Sequence, residues 1–253
     1  GILKSMRIKI LSDIHLEVAK NPGKLMDRLL PSCPDLDTVL VLAGDIGHFG
    51  SELYMNYITK VSENYQAVFV VLGNHEYYQS SIEKISDKIS SIRFPDNVHV
   101  LNRNTVEYRG IRFIGCTLWA SGDASKCHNI NDFYDINGMT PDMYSFLNKT
   151  DIDWLANELS KKSNNTEKTI VITHHLPSES LVSTLYKNHP LNVFYANDLD
   201  SLVNQADIWI CGHTHIPKTI DIGKCHCIVN PIGYQGENTK CNFDFKIDTE
   251  NLV

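Results

Sequence analysis

Three short apolar runs, Arg7 to Leu11, Thr38 to Leu42 and Ala67 to Leu72, punctuate the first third of the chain. Each is closed by small or polar residues: Ser12-Asp13, Ala43-Gly44-Asp45 and Gly73-Asn74-His75. Nearly continuous apolar runs of this length predict strands buried on both faces. The segments Lys24 to Leu30 and Ser51 to Glu63 between them predict helices, so this region reads as a parallel βαβ core. Beyond a further helix at Ser80 to Ile92 the texture changes. Val98 to Leu101, Thr105 to Tyr108 and Ile111 to Cys116 predict close-spaced strands, the last two joined by a hairpin turn at Arg109-Gly110.

A polar stretch without periodicity follows, from Ser121 to Thr140; loops of this length commonly carry function. Pro141 to Ser160 predicts a helix with proline in its first turn. Thr169 to Thr173 and Ile208 to Cys211 are again apolar runs, and both end in histidines. Residues 218–222, 225–229 and 242–247 predict further strands. With no internal repeat, low-complexity segment or linker, residues 6–253 read as one α/β domain, Gly1 to Ser5 being set aside as preceding a natural start at Met6.

Hydrophobic residues make up 42% and charged residues 21% of the 253, the balance of an ordinary globular protein with a core large enough to need no disulfide staples. The net charge of −7 argues against broad binding to long nucleic acid or to an anionic membrane, but not against a small anionic substrate. No apolar run approaches a membrane span. Seven cysteines, irregularly spaced, read as reduced thiols, and the expected location is the cytoplasm. Cys225-His226-Cys227 has one intervening residue, too few for the usual structural zinc spacing. In a strand the two cysteines simply share a face, and Cys211 reads as a buried strand residue.

The polar residues after the apolar runs change the picture. Ligands in open α/β sheets collect just beyond the carboxyl ends of strands. Five runs here end in potential metal ligands: Asp13-Ile14-His15, Gly44-Asp45, Gly73-Asn74-His75-Glu76, Thr173-His174-His175 and Gly212-His213-Thr214-His215. Asp13 and His15, like His213 and His215, are two apart, and an extended backbone continuing past the strand would point each pair to one side. Gly44, Gly73 and Gly212 stand where a tight turn or close backbone approach is expected. Singly these motifs are weak; together, in order, each at the end of an apolar run, they point to a metal site.

The set resembles the calcineurin-like metallophosphoesterase superfamily over roughly residues 6 to 234, in particular a small stand-alone branch. That resemblance implies a four-layer αββα sandwich with two mixed sheets. It implies two divalent ions, one held by Asp13, His15, Asp45 and His215 and the other by Asp45, Asn74, His174 and His213, with Asp45 bridging. The mixed nitrogen and oxygen donors suit manganese, iron, zinc or nickel. Two such ions can share a water and lower its pKa from about 16 towards roughly 7, giving a nucleophile for in-line attack on phosphorus. In that family pattern His75 is the catalytic histidine, and His174 rather than His175 is the ligand. Glu76 either orients a histidine or caps the following helix.

His48, the loop residues Asn131, Asp132 and Tyr134, and the pair Phe194-Tyr195 are candidates to lie near the site or its pocket. Asp13 stands where lariat-RNA debranching enzymes carry cysteine, and His75 is present where a scaffold branch lacks it. The expected activity is hydrolysis of a small phosphodiester or nucleotide. A phosphomonoesterase or protein phosphatase is the alternative, and a non-catalytic scaffold the third reading.

Overall fold

A computed structural model of the chain describes residues 6–251 apart from 163–165, 167 and 238. Among the described residues, eleven strands and six α-helices follow one another with 3-10 turns between them. The first half runs β1 (Arg7–Leu11), α1 (Pro22–Leu29), β2 (Asp35–Ala43), α2 (Glu52–Asn64), β3 (Tyr65–Val71), α3 (Ile82–Ser91), β4 (Val98–Leu101), β5 (Asn104–Tyr108) and β6 (Ile111–Gly115). Then come α4 (Asp132–Asp135), α5 (Pro141–Ser160), β7 (Lys168–Ile172), α6 (Asp200–Val203), β8 (Ile208–Cys211), β9 (Lys218–Ile222), β10 (Cys225–Val229) and β11 (Lys246–Asp248).

The strands form two sheets, ordered β11-β1-β2-β3-β4 and β5-β6-β7-β8-β10-β9. In the first, β1 to β4 are parallel and β11 is antiparallel at the edge. In the second, β6, β7, β8 and β10 are parallel and the outer strands β5 and β9 are antiparallel. Both sheets are mixed, as expected.

The apolar runs show why the sheets stack. Successive strand residues face opposite ways, and here both sets are apolar. Ile8, Ile10, Val39, Val41, Phe69 and Val71 form one core with Phe113, Ile170, Ile172, Ile208 and Ile210 of the other sheet. Phe69 and Phe113 stack across this interface with centroids 3.9 Å apart. The alternate residues Leu40, Leu42, Val68 and Val70 pack beneath Tyr57, Ile58 and Val61 of α2 and Ile85 of α3. On the far side Val171, Trp209, Cys211 and Cys227 pack against Leu155 and Leu159 of α5 and Leu202 of α6. Strands apolar on both faces thus give the layers helix, sheet, sheet, helix.

Most boundaries agree with the sequence to within three residues, and α5 begins at its proline with Thr140 accepting from the Met143 N–H. The expected strand over 242–247 is shorter. Asn230 donates from its side chain to the Asn242 carbonyl and accepts from the Asn242 N–H, which holds that residue out of a ladder until Lys246. The stretch 121–140 is not structureless: it holds a 3-10 turn at Ala124–Asn129 and the short α4. Cys225 and Cys227 are buried on one face of β10, and no helix among the described residues is long and apolar enough to cross a membrane.

Candidate metal centre

All five motifs meet along one edge of the sandwich, with Asp13, His15, Asp45 and Asn74 coming from the first sheet and His174, His213 and His215 from the second. Three groupings have ligand atoms within 4.8 Å of one another: Asp13, His15 and His215; His15, Asp45 and His75; and Asp45, His174 and His213. Asp45 Oδ2 lies 3.2 Å from His174 Nε2 and 3.7 Å from His15 Nε2. Asp13 Oδ1 lies 3.3 Å from His215 Nε2. The sequence-predicted residues therefore converge, Asp45 at their centre.

The local backbone differs from the extended run expected after each strand. Asp13, His15, Asp45, His213 and His215 all have left-handed φ, between 52° and 73°. For a residue with a Cβ this conformation costs about 1–2 kcal/mol, and such strain gathers where a site dictates geometry. Alternation therefore does not align the pairs; tight curls after the strands do. Backbone bonds hold these curls: Asp13 N–H donates to the Gly44 carbonyl and His15 N–H to the Asp45 carbonyl, each at 2.9 Å. The His213 N–H donates to Asp13 Oδ2.

Glu76 anchors the same loop. Its buried carboxylate accepts from the N–H groups of Gly73, Asp45 and Ile46 and from the Tyr54 hydroxyl. Its carboxylate bonds to no histidine, and the following helix α3 is capped by Ser81 instead; Glu76 caps the 3-10 turn Asn74–Tyr77 in which it lies and braces the Asp45 loop. Burial pushes its carboxyl well above the usual range, with the Asp45 charge adding to the effect. Gly73 is required by close approach: a Cβ there would lie 2.1 Å from Asp45 Oδ1.

Each histidine is fixed through the nitrogen turned away from the cluster. A carboxylate or carbonyl oxygen only accepts, so that nitrogen carries the hydrogen. His15 Nδ1 donates to Glu17 Oε1 at 2.8 Å, His174 Nδ1 to the Ala43 carbonyl at 2.8 Å and His215 Nδ1 to Glu237 at 2.9 Å. His213 Nε2 donates to the Phe194 carbonyl, which leaves its Nδ1 with the lone pair. Asn74 donates to Asp132, and Tyr78 donates to the same carboxylate oxygen.

What these bonds leave over is chemically specific. Asp13 Oδ1, Asn74 Oδ1 and His174 Nε2 are buried without a hydrogen-bond partner. His15 Nε2 and His215 Nε2 face each other at 3.1 Å. Two imidazole nitrogens at that distance share either a proton or a metal cation. Buried polar atoms are rarely left unpaired, and this collection of carboxylate, amide and imidazole donors fits divalent metal ions.

The electrostatics agree. Burial alone would lower His174, but the Asp45 carboxylate outweighs it and raises the ring to about 10. His215 is likewise raised to about 9 against burial by Asp13 and Glu237. A field that holds a proton there favours any cation. His175, buried beside His174, is driven down to about 3 and stays neutral; its Nδ1 lies near the Thr117 carbonyl, away from Asp45.

His75 stands at the rim, its Nδ1 donating to Glu17 Oε1 at 2.9 Å and its Nε2 4.0 Å from Asp45 Oδ2. The Tyr234 hydroxyl lies 3.4 Å from the same Nε2. Glu17, Asp132 and Glu237 are the functional neighbours that the motifs do not single out. Glu17 continues the two-residue step from Asp13 and His15, and Asp132 lies in the long polar loop named as a pocket candidate, whereas Glu237 carries no local signal. Asn131, Asp132, Phe194 and Tyr195 line the cavity over the centre, whereas Tyr134 does not: its ring is 67% exposed and its hydroxyl donates to the His128 carbonyl. His48 borders a neighbouring hollow with Glu17 and His75.

Known proteins are similar to this chain in sequence and in fold. The sequence profile of the calcineurin-like phosphoesterases matches residues 6–217. An uncharacterised protein of Acanthamoeba polyphaga mimivirus is 31% identical over 280 residues, spanning 98% of this chain and 99% of that protein. Phosphopantetheinyl hydrolase (PptH) from Mycobacterium tuberculosis has the same fold, with a TM-score of 0.65, 14% identity and 97% of each chain covered. With the motifs gathered at one strand edge and the profile spanning most of its length, the chain belongs to the calcineurin-like phosphoesterase family, which cleaves phosphoesters with divalent metal ions.

Proposed function

We propose that this chain hydrolyses small phosphodiesters or nucleotides at a two-metal centre. The observation that carries this reading is the crowding of donors about Asp45: Asp13, His15 and His215 form one grouping, Asp45, His174 and His213 another, and His15 also groups with Asp45. Asp13, His15, Asp45 and His215 would hold one ion; Asp45, Asn74, His174 and His213 would hold the other. Bound divalent ions at this place polarise phosphoryl oxygens and lower the pKa of water.

The chain's own residues supply the rest. His75, held through Nδ1 by Glu17, presents Nε2 towards the cavity, where it passes a proton to the leaving oxygen. Tyr234 covers His15 and His215 with its ring, at centroid distances of 4.4 and 4.7 Å, and shields their nitrogens from bulk water. The Glu76 brace keeps Asp45 in its strained conformation, so no reorganisation is needed at the moment of reaction. All seven cysteines are free, which supports a reducing, cytoplasmic setting.

The test is hydrolysis of bis(p-nitrophenyl) phosphate with manganese, wild type beside Asp45→Asn. Turnover that disappears in the variant is the expected result. Failure of the wild type to bind any divalent ion would overturn the reading.

A further inference from the structure

The cavity above the metal centre has walls that the hydrolytic chemistry does not explain. It encloses about 400 Å3, within the range of small-molecule sites. One wall is the segment between β7 and α6, where Val182, Tyr186, Leu191, Phe194 and Tyr195 turn inward. Asn129, Ile130 and Asn131 line the same cavity. Ser183 and Asn192 add neutral hydrogen-bonding groups, while Asp132 and Glu237 are carboxylates on the same surface. Among the described residues lining the cavity there is no lysine or arginine.

The apolar wall is fixed relative to the metal site. The Phe194 carbonyl accepts from His213, the Val193 carbonyl from Gly122 N–H at 2.7 Å and the Tyr195 carbonyl from Leu176 N–H at 2.9 Å. The Tyr195 ring lies 4.4 Å from that of His213. Tyr186 remains 51% exposed, an aromatic surface a ligand would cover.

We infer that this cavity binds the organic group of the substrate, and that the group is uncharged and partly apolar, so that the reacting phosphoryl is the substrate's only anion. The inference rests on the phosphoester-cleaving reading above. A second phosphate in the cavity would meet two carboxylates and no lysine or arginine, leaving only histidines such as His75 and His189 to offer positive charge, with the metal ions already engaged by the first. A neutral ring system instead meets aromatic faces and amide groups, which bury it without an unpaired charge. Nucleoside diphosphates, triphosphates and oligonucleotides are thereby disfavoured, and diesters or monoesters of neutral alcohols, nucleosides included, are favoured.

Two chromogenic esters differing by one phosphate group test this. They are thymidine 5′-(p-nitrophenyl phosphate) and the same compound carrying a 3′-phosphate, assayed on the manganese-loaded protein. We expect kcat/KM at least 10-fold lower for the 3′-phosphorylated ester. Asn192→Lys and Asn131→Lys, made separately because Asn192 also donates to the Tyr186 carbonyl, should narrow that ratio. Equal or faster turnover of the 3′-phosphorylated ester overturns the inference while leaving phosphoester hydrolysis intact. Calorimetric binding of both esters to metal-loaded His75→Ala separates the two readings. A binding preference without wild-type turnover of either ester supports the cavity inference and removes the hydrolytic one; no preference in binding overturns the cavity inference.

Discussion

Glu17 places one carboxylate oxygen 2.9 Å from Nδ1 of His75, and that same oxygen accepts from His15 at 2.8 Å. A rim histidine and a candidate ligand are thus oriented by a single acceptor. Burial would raise this carboxyl, but the two imidazole hydrogen bonds hold it at about 2, so it is anionic at all working pH values. Glu17→Gln keeps the shape and removes the charge. We expect kcat about 10- to 100-fold lower, with KM and bound metal changed less, as read by steady-state kinetics and metal analysis. Turnover within twofold of wild type would show that the shared oxygen is ornamental.

His75 itself is separable from the ligands. His75→Ala should lose about 100-fold or more in turnover and still bind two ions per chain. Loss of one ion in the variant would instead make His75 a ligand, as its grouping with His15 and Asp45 allows.

Metal removal should act on stability as well as on rate. Ions that bind the folded chain alone add about 2.7 kcal/mol when their free concentration is 100 times Kd. Treatment with a chelator should therefore lower Tm, and manganese should restore it in a concentration-dependent way. A Tm indifferent to both would contradict a metal centre built from buried ligands.

The inter-sheet core offers a prediction independent of metal. Phe113 is fully buried and stacked on Phe69. Phe113→Ala should cost about 3–5 kcal/mol, a fall in Tm of roughly 6–20 °C for a domain of this size. Calorimetric unfolding measures it, and a shift of only a degree or two would mean that the sheets close over the cavity.

His99 gives stability a pH dependence remote from the site. Half-buried and stacked on Phe69 at 4.8 Å, it has a pKa lowered from 6.5 by burial. Above pH 6.5 it is neutral in both folded and unfolded chains and contributes no slope. As pH falls below 6.5 the unfolded chain takes up the proton first, and stability is lost until the lowered folded pKa is passed. Comparing urea unfolding of wild type and His99→Phe between pH 7.5 and 5 should show a shallower slope in the variant; parallel slopes would exclude His99.

Much of this architecture is written in the apolar runs. Val39 to Ala43 and Val68 to Leu72 carry apolar residues at every position, which announces burial on both faces and hence a sheet with layers on either side. The motifs at the ends of those runs announce the ligands for the same reason: the strand fixes where its last residue lies. The curls at Asp13, His15, His213 and His215 were not legible, because left-handed φ at an aspartate or histidine is imposed by tertiary contacts such as the Asp13 to His213 bond. Asp132 was legible only as a residue of the long polar loop, not as the partner of Asn74 58 residues away, and Glu237, 22 residues from His215, is marked by no local pattern.

The division of the candidate ligands between the sheets has one more consequence. Asp13, Asp45 and Asn74 belong to one half of the sandwich, and His174, His213 and His215 to the other, so any ion held at Asp45 would sit like a rivet across a seam. Neither half can assemble the centre alone, and small slippage between the sheets changes the spacing of every donor at once. A substitution deep in the interface, far from any phosphate, would then surface first as altered metal affinity, making the enzyme's grip on its ions a gauge of how well its two halves are clamped.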